Sequence, residues 1–81
     1  MKLNDNEGFL SDFGGHLRFV RRLRGISQED LADSAGLDRT YISSVERGKR
    51  NISLLNIKKI CDALEMSVED FFKGISDQSD G

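Results

Sequence analysis

Apolar positions recur at helical spacing along most of the chain, and no stretch alternates in the way a half-buried strand requires. Leu17, Val20 and Arg21 share one face, which predicts a first helix from Phe13 or His16 to Arg24. Gly25 ends it by taking the left-handed conformation. A second helix starts at Ser27, where Ser27-Gln28-Glu29-Asp30 has the form of a capping box with Asp in place of Glu. It buries Leu31, Ala32 and Ala35 and stops at Gly36. A third runs from an Asp38 cap to a stop at Gly48, with Ile42, Val45 and Glu46 facing inward. Ser53 caps a fourth, whose apolar face is Leu54, Ile57, Ile60, Cys61 and Leu64. Ser67 caps a fifth, with Asp70 in its first turn, the apolar residues Val68, Phe71, Phe72 and Ile75, and a close at Gly74. The pattern predicts an all-α, compact five-helix domain.

The flanks are polar. Residues 1–12 read as a flexible N-terminal segment in which only Phe9 and Leu10 pack, residues 13–75 as the folded domain, and residues 76–81 as a flexible acidic tail. At 81 residues the chain supports one domain with a small core, which dimerisation would help to stabilise. No run of about twenty apolar residues spans a membrane. No basic segment followed by an apolar stretch marks a signal peptide. Cys61 is the single cysteine, so no internal disulfide forms, and its place on an apolar face reads as a small buried residue. A cytoplasmic protein is expected.

The net charge of −2 hides an uneven distribution. Residues 16–50 carry eight Arg and Lys against five acids, a balance of +3, between a leading block at −2 and a trailing block at −3. A local patch sets the field that a polyanion feels. That basic block contains Ser27 to Asn51, which divides into a short helix, a tight turn at Ala35-Gly36-Leu37, a second short helix and a basic polar segment. This is the helix-turn-helix pattern, and it points to sequence-specific binding of double-stranded DNA.

The second helix of the motif keeps its apolar residues on one side and offers polar ones on the other. Arg39, near its start, can hold N7 and O6 of guanine with its planar fork. Thr40, Ser43 and Ser44 can meet bases or the phosphate wall, and their small size lets the helix lie deep. Tyr41 can pack its ring and extend its hydroxyl to a phosphate. Arg47, Lys49 and Arg50 follow as phosphate contacts, with Arg50 also placed for a base. Gln28, at the start of the preceding helix, sits where the helix dipole favours a phosphate. His16 has no metal-spaced partner and reads as a capping or surface residue. There is no catalytic triad and no Gly-rich phosphate loop, so no enzyme, cofactor, metal or small-molecule ligand is expected.

These residues resemble the lambda-repressor-like family, also called the Xre or Cro/C1-type helix-turn-helix family. The likeness rests on the Leu17/Val20/Arg21 face, Gly25-Ile26-Ser27-Gln28, Leu31-Ala32, Gly36, Ile42-Ser43, Val45-Glu46, Gly48-Lys49, Ala63-Leu64, Val68 and Phe71-Phe72. It covers residues 13–74. Within that family, LDRTYIS followed by VERGKRNISLLNI is most similar to the controller proteins of restriction–modification systems. Ile52 departs from the proline that many members carry. The resemblance implies that Gln28 also braces the recognition helix and that Arg21 and Glu46 form a partly buried ion pair. It further implies a homodimer reading a (pseudo)palindromic operator, with the third helix in the major groove. Leu55, Met66, Phe71, Phe72 and Ile75 are the candidate dimer interface, because one small core does not need so many apolar residues at this end. A stand-alone phage-type autorepressor and a protein-interaction module of antitoxin or adaptor type are the alternatives.

Overall fold

The computed structural model describes residues 6–79. They form five helices: α1 (Asn6–Leu23), α2 (Gln28–Ala35), α3 (Arg39–Glu46), α4 (Leu54–Ala63) and α5 (Val68–Ser79). No strand occurs among the described residues, and none of their helices is long and apolar enough to cross a membrane. The predicted starts at Ser27, Ser53 and Ser67 are present, each hydroxyl accepting a first-turn backbone N–H. At Ser27 the box closes reciprocally, because Asp30 Oδ2 accepts from the Ser27 backbone N–H at 3.4 Å. Asp38 stands at the cap position of α3 but makes no side-chain cap bond there. The α2–α3 turn depends on Gly36 at φ +70, which lets Leu37 N donate back to Ala32 O at 2.8 Å.

The outer helices differ from their predicted bounds. α1 starts at Asn6, not at Phe13 or His16, so residues 6–12 of the segment expected to be flexible are helical. Residues 1–5 lie outside the described residues. Glycine has a low helix propensity, yet Leu10, Phe13, Leu17 and Val20 continue the apolar face through Gly14 and Gly15. Glycine suits position 14 because α1 crosses the end of α3 there. A Cβ at Gly14 would lie 2.7 Å from the Glu46 carbonyl oxygen and closer still to that of Val45. α5 likewise continues past Gly74 to Ser79, so Gly74 does not close it, and part of the expected tail is helical backbone. Residues 80–81 lie outside the described residues.

Gly74 has a packing role as well. A Cβ on it would meet the His16 ring, 2.6 Å from Cε1. His16 is therefore neither a cap nor a surface residue. It is 4% exposed, lies edge-on to Phe71 at 4.7 Å between centroids, and neither ring nitrogen has a hydrogen-bond partner among the described residues. The core joins Phe13, Leu17 and Val20 of α1 to Leu31, Ile42, Val45, Ile60, Cys61, Leu64 and Phe71. Two interface candidates belong to it: Phe71 is fully buried within one chain and Ile75 nearly so, because α5 turns that face onto α1. Leu54 was expected inside and is 79% exposed, since its first-turn position sits beyond the packed part of α4.

Candidate nucleic-acid interface

A helix of eight residues has little stability of its own. α3 is placed by what it packs against. Ile42 and Val45 are buried in the core where α3 packs on α1 and α2, and Gly14 admits α1 against its last carbonyls. The opposite side is polar. Arg39, Thr40 and Arg47 are exposed, and Ser43 and Ser44 are half-buried beside them. Arg47 Nη2 donates to Ser44 Oγ at 3.4 Å, so these two predicted site residues touch.

Glu46 fixes the rotation of α3. Its side chain has no exposure, and it accepts from Arg21 Nε at 2.6 Å and Arg21 Nη2 at 3.0 Å, a bidentate pair. Arg21 Nη1 also donates to Ile26 O at 2.9 Å, and Gln28 Nε2 donates to Glu46 Oε1 at 2.9 Å. Arg18 Nε stands 3.6 Å from the same oxygen. One carboxylate thus ties the end of α3 to α1 and to the start of α2. Burial pushes the Glu46 carboxyl up, but the Arg21 and Gln28 hydrogen bonds and the two arginine charges together outweigh it and hold it below the ordinary range. The hydrogen bond to Glu46 is the main cause that raises the Arg21 guanidinium further, against burial. Gln28 faces this network with one amide proton. Its amide has a second, so bracing and phosphate binding are compatible.

Tyr41 lies at the edge of α3, packed against the core. Its hydroxyl accepts from Asn56 Nδ2 at 3.1 Å, and the Arg50 guanidinium sits over its ring at 4.8 Å from the centroid. Thr40, Tyr41, Ser44 and Arg50 line one groove of about 360 Å³ with the α2–α3 turn. Arg47 and Lys49 line another, of about 460 Å³, with Ser11 of α1. Arg39 and Ser43 line neither. Of the interface candidates, Leu55 is 68% exposed and Met66 and Phe72 are half-buried. Sequence reasoning passed over Gly14, Arg18 and Asn56. Only Gly14 carried a signal, as a glycine on an otherwise unbroken apolar spacing.

A helix-turn-helix family model matches residues 17–71. The control protein C.MunI of Mycoplasma sp is 44% identical over 64 residues, spanning 78% of this chain and 86% of that protein. The restriction-modification controller protein C.AhdI from Aeromonas hydrophila superposes with a TM-score of 0.79 at 48% identity, over 80% of this chain and 98% of that one. The restriction-modification controller protein C.Esp1396I, solved as a tetramer in complex with its natural 35 base-pair operator, superposes with a TM-score of 0.79 at 38% identity, over 84% of this chain and 90% of that one. The chain belongs to the lambda-repressor-like helix-turn-helix family, and restriction–modification controller proteins are among its relatives.

Proposed function

We propose that this protein is a sequence-specific DNA-binding transcriptional regulator that acts as a homodimer and serves as the controller of a restriction–modification system. The observation that carries it is α3. Its buried side is locked by Ile42, Val45 and the Glu46 network, while its outward side holds only polar and basic groups. Such a helix enters the major groove start first, which brings Arg39 and Thr40 to base edges and Ser43 and Ser44 to the groove wall. Tyr41, Arg47, Lys49, Arg50 and the outer proton of the Gln28 amide meet phosphates. Leu55, Met66 and Phe72, with the adjoining Leu54, supply the contact between protomers. Two copies of α3 then address half-sites about 34 Å apart. The operator complex of C.Esp1396I supports the reading, as does the controller identity of the relatives.

Selection from random duplex DNA at about 150 mM salt tests it, because salt limits non-specific retention. The expected product is a palindrome with half-sites about ten base pairs apart. Folded protein that enriches no sequence would leave a protein-interaction module as the better reading.

A further inference from the structure

We infer that Asn56 is a positioning residue for DNA binding, acting through the Tyr41 hydroxyl. The inference rests on the DNA-binding reading above and deepens it. A phosphate oxygen only accepts hydrogen bonds, so a tyrosine serves it only as a donor. The phenol has one proton to give, and that proton is available outward only if no buried acceptor takes it. Asn56 meets the condition. Its side-chain Nδ2 is a donor, and it occupies the acceptor side of the Tyr41 hydroxyl at 3.1 Å. The Tyr41 proton is left to point away from α4, and a phenol that accepts one bond donates a stronger one.

Asn56 is itself held firmly. Its backbone N–H donates to the Ser53 hydroxyl at 3.1 Å, so it belongs to the capped first turn of α4. The bond therefore fixes the Tyr41 ring relative to α4 as well as to α3. Arg50 depends on that ring. It lies in the irregular segment after α3, and its guanidinium stacks over Tyr41 at 4.8 Å. A ring free to swing would release the cation from the groove that Thr40, Tyr41, Ser44 and Arg50 line together. The neutral amide matters too. An aspartate of the same shape only accepts, so it would draw the Tyr41 proton inward and add a negative charge beside the phosphates.

The test is a double-mutant cycle on the full chain. Dissociation constants are measured on the selected operator duplex at one salt concentration for the parent protein, Asn56→Ala, Asn56→Asp, Tyr41→Phe and the Asn56→Ala/Tyr41→Phe double variant. Melting temperatures are taken alongside. Asn56→Ala and Tyr41→Phe should each weaken binding about five- to tenfold, the scale of one net hydrogen bond. The double variant should be no weaker than Tyr41→Phe alone. Asn56→Asp, which preserves the shape of the site and its backbone cap, should lose about a hundredfold, combining the turned hydroxyl with a like charge. Asn56→Ala or Asn56→Asp binding as well as the parent would overturn the inference, and so would losses that multiply in the double variant. A parent protein with no selected operator would instead remove the DNA reading itself, a different result from a parent that binds and an Asn56 variant that binds equally.

Discussion

Two contacts of α1 are held in opposite ways. Toward its C-terminus, α1 meets α3 through a carboxylate with no exposure whose oxygens accept from Arg21 and Gln28. Nearer its middle, α1 meets α5 through an imidazole that is 4% exposed and has no hydrogen-bond partner among the described residues. Aromatic packing stands in for polar partners at that second contact: Phe71 lies 5.2 Å from Phe13 and 4.7 Å from His16, centroid to centroid. Hydrogen bonds are directional, whereas apolar packing is not. The satisfied network sits behind the helix whose rotation decides which side chains face outward. The unsatisfied imidazole sits where two helices need only be close. Precision is concentrated behind the proposed recognition surface, and the far contact supplies cohesion.

The largest effect should come from breaking the network. Glu46→Ala leaves the Arg21 guanidinium buried without its counter-ion and should cost about 3–5 kcal/mol by urea denaturation. An unchanged unfolding midpoint would mean that the network does not hold α3. Next is Gly14→Ala, which drives a methyl group into the backbone oxygens of Val45 and Glu46. Backbone cannot rotate aside as a side chain can, so a loss of about 2–3 kcal/mol is expected. The neighbouring Gly15→Ala is the control. None of the described residues lies within 4 Å of its Cβ position, so it should gain up to about 1 kcal/mol from helix propensity alone.

The carboxylate contact should also depend on pH. The Glu46 carboxyl is held below its unfolded value, so its contribution is complete above the ordinary carboxylate range and is lost as pH falls through the lowered native value. Stability should fall on acidification, and Glu46→Gln should flatten that fall while lowering stability at neutral pH. The smallest effect concerns the far contact. His16→Leu removes two unpartnered buried nitrogens and should stabilise by about 1 kcal/mol, with no change in the DNA sequence bound. A change in operator preference would show that the α1–α5 contact is coupled to the recognition surface.

Local chemistry made most of the fold legible. Serines at three helix starts and the apolar spacing of the core faces are short-range signals, and they placed α2 and α4 closely. The differences came from long-range contacts. Gly14 and Gly74 look like breakers in isolation, and each is instead the point where another element approaches too closely for a Cβ. Phe71 and Ile75 looked surplus to one core because His16 was not counted as part of it. With a buried histidine and a longer α1, the core absorbs them. In the candidate site, the outward residues of α3 followed from helical period alone. Asn56 did not, because its partner lies on a different helix and an asparagine in a first turn looks like part of a cap.

In the proposed complex a rigidly held α3 reads bases through the side chains at its start. Operator selection with Arg39→Ala, at the same salt as the parent and with melting measured in parallel, tests it most directly. Arg39 is exposed and lies outside the Glu46 network, so melting should not change. The same palindrome should be recovered, with the preference for guanine lost at one position in each half-site, a cost of about 1–3 kcal/mol there. An identical selected sequence, guanine included, would contradict the account.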